Sequence, residues 1–254
     1  MRERIISELK SIEINENVKI LLAVESGSRA WGFDSADSDY DVRFIYVRRT
    51  EDYLRLEKRR DVLEYPINDL LDISGWDFCK ALQLLHNSNP ALYEWFDSRI
   101  IYKEDSGFKS NMSECLKECF SQKKCIGHYL HMAKNNSKEF LRGEDVRLKK
   151  YFYVLRSVLA AKWIMLRNEP APILFEELVD YGLDEFLKPT VAELLRKKRD
   201  NPEVKTIGKV DRLNDYIDSL IEEVTLYMNT LPDRSDPGWD SLNNRFLYEL
   251  ELRR

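Results

Sequence analysis

One short stretch gathers residues that could do chemistry together: Gly27 and Ser28 at a turn, Arg29 beside them, and the acids Asp39 and Asp41. In an extended chain residues i and i+2 point to the same face, so these two carboxylates would aim at one spot and repel each other. A hard divalent cation makes that repulsion useful, because carboxylate oxygens are the ligands such ions take. Gly27 and Ser28 end an apolar run and open a short helix over residues 29–32. The first N–H groups of such a helix, with the Ser28 hydroxyl, would face a phosphate. The alternative is that Ser26 or Ser28 only caps the helix. A phosphate cradle and a metal pair at the two ends of one turn make joint sense for a nucleoside triphosphate, with Gly27, Ser28 and Arg29 on the nucleotide side.

Two other readings of these residues fail on the sequence itself. Gly27-x4-Gly32 imitates the opening of a P-loop, but Phe33 follows where a lysine must reach the phosphates. Asp37, Asp39 and Asp41 imitate the start of a calcium loop, yet its sixth position is Val42 instead of glycine and its twelfth is Arg48 instead of glutamate. What stands is Gly27-Ser28, ten residues, then Asp39-x-Asp41. This pattern resembles the signature of the DNA polymerase beta-like nucleotidyltransferase superfamily. The longer strings GSRAWGFDSADSDYDVRFIYV and DISGWDFCKALQLLHNSNPALYEWFDSRIIY resemble its YcgL-type branch, associated with RNA repair pathways. The likeness is close over residues 1–102 and loose beyond them.

The resemblance implies a third carboxylate from a neighbouring strand, and the matching residue is Asp72 in LLDISGWD. Asp61, Glu64, Asp69 and Asp77 are competing acids nearby, and a cap or a surface acid is the alternative for Asp72. It also implies an α/β (α+β) nucleotidyltransferase domain with a small mixed sheet over residues 1–106. A helical, substrate-binding domain, an all-α bundle, follows over 107–254. Together with the spacing, it implies transfer of a nucleoside monophosphate from a triphosphate to an acceptor hydroxyl, such as an RNA end, with release of pyrophosphate. Asp39 and Asp41 would hold two metal ions, Mg2+ or Mn2+, and Asp72 would ligate the second or accept the proton. The spacing alone supports only a divalent metal and a phosphate. A protein acceptor in an adenylylating, antitoxin-like role, a small-molecule acceptor and a non-catalytic nucleotide-binding module remain alternatives.

The elements that must position these residues are legible from periodicity. Ile5, Ile6, Leu9 and Ile12 mark a helix over 2–14 ahead of an apolar strand over 18–24, and a second strand covers 42–47. A charged connection over 50–60 leads to apolar stretches at 61–67 and 70–73, then to an amphipathic helix over 75–87. Asn89-Pro90 breaks that helix before a shorter one and a strand at 99–102. Beyond Gly107 strand patterns give way to helical ones over 112–141, 146–167, 173–181, 183–187, 190–199, 210–230 and 239–251. Pro170, Pro172, Pro189 and Pro202 punctuate them.

Composition excludes some classes and leaves others. The net charge of −5 over 254 residues argues against a generic polyanion binder. Cations nevertheless outnumber acids over 142–169, and Arg196-Lys-Lys-Arg199 forms a second basic island. In the first, Lys149, Tyr153 and Arg156 share one helix face and are candidates to grip the triphosphate or the acceptor; a solvated face is the alternative. Cys115-x3-Cys119, Cys125, His128 and His131 make a zinc site conceivable, against the plainer role of small core residues. With no run of eighteen apolar residues and no signal-peptide pattern, the expectation is a soluble cytoplasmic protein without a membrane partner.

Overall fold

The computed structural model describes residues 1–65, 70–200 and 206–251; Ile67, Asp69 and Pro202 lie outside the described residues. The chain begins α1 (Arg2–Glu16), β1 (Lys19–Ser26), α2 (Gly27–Ala30), β2 (Tyr40–Val47), α3 (Thr50–Tyr53), β3 (Val62–Glu64) and β4 (Leu71–Asp77). It continues through α4 (Phe78–His86), α5 (Pro90–Asp97), β5 (Ile101–Glu104), α6 (Phe108–Cys119) and α7 (Gln122–Phe140). The remainder is β6 (Asp145–Arg147), α8 (Leu148–Arg167), α9 (Phe175–Gly182), a 3-10 turn at Glu185–Leu187, α10 (Lys188–Asp200), β7 (Thr206–Gly208), α11 (Asp211–Thr230) and α12 (Asp240–Glu251). No helix among the described residues is long and apolar enough to cross a membrane.

Two compact units form. One comprises Met1–Ala30, Asp39–Cys119 and Asp236–Arg254, the other Trp31–Ser38 and Phe120–Ser235. The composition shift after residue 106 and this interleaving are different divisions of the chain: α6 and α12 pack in the first unit, and residues 31–38 pack in the second.

The first unit is built on a mixed sheet of order β3-β4-β2-β1-β5, in which only the β2–β4 pair is parallel. This is the α/β fold with a small mixed sheet that the sequence leads one to expect. Ile5, Leu9 and Ile12 of α1 share a buried cluster with Ile20, Ala23, Val42, Phe44, Tyr46, Leu71 and Ile73. Each Val, Leu, Ile or Phe side chain among these contributes about 1.5–3 kcal/mol when fully withdrawn from water. A register shift between Ile20 and Leu22 lets both Ile20 and Ala23 reach that cluster despite their odd separation. Because Val42, Phe44 and Tyr46 face α1, alternation puts Asp41 and Arg43 on the opposite face of β2. The same parity in β4, with Leu71 and Ile73 toward the cluster, turns Asp72 to that opposite face as well.

Several boundaries differ from the periodic reading for identifiable reasons. Gly75, Trp76 and Asp77 extend β4, so α4 starts only at Phe78; Asp77 caps it by accepting the N–H of Cys79 at 2.9 Å. A Cβ on Gly75 would lie 2.2 Å from the Phe44 ring, so a glycine is needed where these paired strands meet. The expected helix over 112–141 is two helices, because Ser121 is extended and caps α7 through Lys124 N–H. The segment around Asn89 is a packing turn: Asn89 caps α5 through Ala91 N–H at 3.0 Å, and Trp95 packs on Trp76 with ring centroids 4.2 Å apart.

The second unit is helical, with one short antiparallel pair, β6 and β7. Its core runs along α8, where Tyr151, Phe152, Val154, Leu155, Val158 and Leu159 are buried. Tyr151 donates its hydroxyl to Asn214 Oδ1 at 2.8 Å, and Asn214 Nδ2 donates to the Leu141 carbonyl at 2.7 Å, so these two buried side chains are satisfied within the unit. Residues 31–38, which follow α2 and precede β2 in the chain, are clamped here. Phe33 packs on Phe152 and Phe175 with centroids 5.5 and 5.4 Å away. The carbonyls of Trp31, Gly32 and Phe33 accept from Phe175 N–H, Arg199 Nη2 and Lys198 Nζ at 2.9, 2.8 and 2.5 Å.

Candidate active site

The site is assembled where β1 ends and β2 begins. β1 delivers Glu25 and Ser26, α2 turns the chain at once, and β2 returns antiparallel with Ser26 opposite Asp41. β4 then runs parallel to β2 with Asp72 directly opposite Asp41. Thus two of the expected acids come from adjacent strands, in register and on one face.

Gly27 sits against Asp41. It holds φ +61°, and a Cβ there would lie 1.9 Å from Asp41 Oδ2, 2.8 Å from Cγ and 3.3 Å from Cβ. Glycine is therefore required twice, for its backbone angle and for the close approach of the carboxylate. Ser28 is buried within the single turn of α2. Arg29 folds back on the turn: its Nε donates to the Asp39 carbonyl at 3.2 Å, and its guanidinium carbon lies 3.8 Å from the centroid of the Tyr40 ring. Asp39 immediately precedes β2 and is exposed.

Two further side chains belong to this constellation and escaped the sequence reading. Arg43 Nη2 lies 2.7 Å from Asp72 Oδ2 and 3.5 Å from Asp41 Oδ1, so one guanidinium touches both carboxylates. Its position two residues beyond Asp41, on the same strand face, was the signal that could have found it. Glu25 is fully buried beneath the turn. One of its carboxylate oxygens accepts the Asp41 N–H at 2.8 Å and the other accepts the Tyr102 hydroxyl, while Ser98 Oγ donates to its carbonyl at 2.8 Å. Burial pushes the Glu25 carboxyl above the usual range; the bonds from Tyr102 and Asp41 N–H pull it down, and the Asp41 charge pushes it up again. An acid closing an otherwise apolar strand run was its sequence signal.

Three of the competing acids near Asp72, Asp61, Glu64 and Asp77, are engaged elsewhere. Asp61 pairs with Lys80 at 3.0 Å, Glu64 with Arg60 at 3.5 Å, and Asp77 caps α4 while accepting the Tyr53 hydroxyl at 3.0 Å. Burial raises the Asp77 carboxyl to about 6.

Lys149 and Arg156 belong to the second unit and differ from each other. Lys149 is exposed on α8, with its amine 5.5 Å from the Tyr153 ring centroid. Arg156 is only 2 % exposed; its guanidinium lies 4.4 Å from the Trp31 ring centroid and donates to the Ile173 carbonyl at 3.4 Å. The second basic island is also structural in part: Lys198 is buried, which, with Lys149 nearby, lowers its amine to about 8. Cys115, Cys119 and Cys125 are buried and form no disulfide. Among the described residues no group of three or more His, Cys, Asp or Glu side chains is gathered as a metal centre.

The mixed sheet with its turn and paired aspartates belongs to a polymerase beta-like nucleotidyltransferase class, and comparison of the chain with known families makes that specific. The chain belongs to RlaP, the RNA repair pathway DNA polymerase beta family, whose profile it matches over residues 1–248. It is 43% identical over 252 residues to the uncharacterized protein YcgL of Bacillus subtilis (strain 168), covering 99% of this chain and 97% of that one. Among solved structures, a nucleotidyltransferase-like protein from Exiguobacterium sibiricum 255-15 aligns over 98% of this chain and 80% of its own, with a TM-score of 0.30 and 13% identity.

Proposed function

We propose that this protein is a metal-dependent, cytoplasmic nucleotidyltransferase that moves a nucleoside monophosphate from a triphosphate to an acceptor hydroxyl, with an RNA end as the acceptor. The observation that carries the reading is the in-register pairing of Asp41 with Asp72 beside the Gly27 turn. The donor set suits Mg2+ or Mn2+: both groups offer hard oxygen ligands, share a face, and already converge on one cation, Arg43. In this reading Asp39, Asp41 and Asp72 hold the metal, Gly27, Ser28 and Arg29 line the nucleotide side, and residues 1–106 do the chemistry. Residues 107–254 bind the acceptor, with Lys149 as an exposed cation on α8. The bound ion would neutralise triphosphate oxygens and lower the pKa of the attacking hydroxyl. The chain's own contribution is positioning. Glu25 fixes the Asp41 backbone, Gly27 leaves its carboxylate room, and Arg29 holds the Asp39–Tyr40 turn.

The test is incubation with each of the labelled nucleoside triphosphates, Mg2+ or Mn2+, and RNA and protein acceptors in separate reactions. Label should pass to RNA with pyrophosphate released, and Asp39→Asn or Asp41→Asn should abolish transfer while circular dichroism stays unchanged. Label on protein would select the protein-modifying alternative. No turnover with any triphosphate would leave a binding module, and full activity in either variant would end the metal assignment.

A further inference from the structure

Arg43 is placed where it must affect any cation that binds. On β2 it follows Asp41 by two residues, and its guanidinium sits between the carboxylates of two strands that parallel pairing holds opposite each other. Nη2 is 2.7 Å from Asp72 Oδ2 but 3.5 Å from Asp41 Oδ1, and Nη1 donates to the carbonyls of Val42 and Asp72 at 3.1 and 3.3 Å. The grip is unequal. Asp72 receives a short charge-assisted bond and a second bond through its carbonyl, whereas Asp41 receives one contact at the limit of bonding distance. The three side chains keep 22%, 27% and 26% of their surface exposed, so solvent ions reach them.

Strand register forces two like charges together here, and something positive must offset them. We propose that Arg43 is the resident counter-ion of the metal site: it neutralises Asp41 and Asp72 in the metal-free protein, and it yields Asp41 when a divalent cation binds. This rests on the reading of these acids as metal ligands. The longer contact is the one given up, because a dication coordinated by Asp41 would stand beside the guanidinium and repel it. Arg43 therefore opposes metal binding, and its removal has a sign that a merely supporting residue would not show. A supporting residue, once lost, weakens the site; a competing counter-ion, once lost, strengthens it.

The experiment is a Mn2+ titration followed by electron paramagnetic resonance of the free ion, which needs no turnover. It compares wild type, Arg43→Ala, Arg43→Gln and Asp41→Asn, with melting temperatures measured without and with Mn2+. Arg43→Ala and Arg43→Gln should each bind Mn2+ on the order of ten-fold more tightly than wild type. Their metal-free melting temperatures should fall, and Mn2+ should raise them by more than it raises wild type. Glutamine retains a donor toward Asp72 without the charge, so it keeps the question answerable if the alanine variant fails to fold. Wild-type or weaker Mn2+ affinity in the folded Arg43 variants, with binding lost in Asp41→Asn, overturns the counter-ion proposal alone. If wild type and the Arg43 variants bind no Mn2+ at millimolar concentration, or if Asp41→Asn binds like wild type, the metal reading itself falls and takes the proposal with it.

Discussion

Gly27→Ala is the sharpest perturbation of the site, because the structure sets its size. The added methyl would stand 1.9 Å from Asp41 Oδ2, and ordinary contact of carbon with a neighbouring heavy atom begins near 3.5 Å, so the carboxylate must retreat by about 1.5 Å. Rotating the carboxylate about its own axis cannot supply this, since Asp41 Cγ and Cβ also lie within 2.8 and 3.3 Å. The side chain must leave its rotamer, or β2 must shift. A left-handed backbone angle on alanine adds about 1 kcal/mol. Displacement of the proposed metal ligand by this distance should lower nucleotidyl transfer on the order of 100-fold, with a parallel loss of Mn2+ affinity. Gly238→Ala separates the two contributions. Gly238 has φ +78° but no atom within 4 Å of the added Cβ, so it carries the angular cost alone. The melting temperature should fall by roughly 2–4 °C in Gly238→Ala and further in Gly27→Ala, and only the latter should lose transfer in a single-turnover assay with labelled triphosphate. Wild-type Mn2+ affinity and transfer in a folded Gly27→Ala protein would refute the reasoning that this glycine makes room for Asp41.

Asp77→Asn should stabilise the protein at neutral pH. The folded carboxyl sits at about 6 against an ordinary 3.8, so between these values the folded state holds more protons than the unfolded one, and stability falls as pH rises through that window. Asparagine keeps an oxygen for the Cys79 N–H and cannot ionise, which gives a gain of at most about 3 kcal/mol at pH 7 and none near pH 3. Urea unfolding at both pH values checks this, and a pH-independent difference between variant and wild type would contradict it. Arg156→Ala should cost about 2 kcal/mol or more, because it strips a buried cation from the Trp31 face. Lys149→Ala, at an exposed position, should change stability by less than about 0.5 kcal/mol. If α8 grips phosphates, Lys149→Ala should instead weaken RNA or triphosphate binding and reduce its salt dependence. Equal stability losses in the two variants would put Lys149 in the fold.

The residues 27–41 showed openly that a turn and closely spaced acids would meet, because turn residues and acids at short spacing are constrained by local geometry alone. Helix α1, the apolar strands and the helical character after residue 107 were equally readable, since amphipathic periodicity is a property of consecutive residues. Pairing is not such a property. That Asp72 stands opposite Asp41 depends on β4 joining β2 in parallel across some thirty residues of chain, and strand alternation marks a face without naming the neighbour. Arg43 shows the same boundary: its parity with Asp41 was visible, but its contact with Asp72 exists only in the folded sheet. Arg156 marks it from the other side. Helical spacing set it beside Lys149 and Tyr153, whereas Trp31, more than a hundred residues earlier in the chain, supplies the ring that buries it. Local spacing decides which residues share a face; whether that face meets solvent or another part of the chain is settled by long-range packing, where desolvation and a nearby ring or carboxylate fix what a charge does.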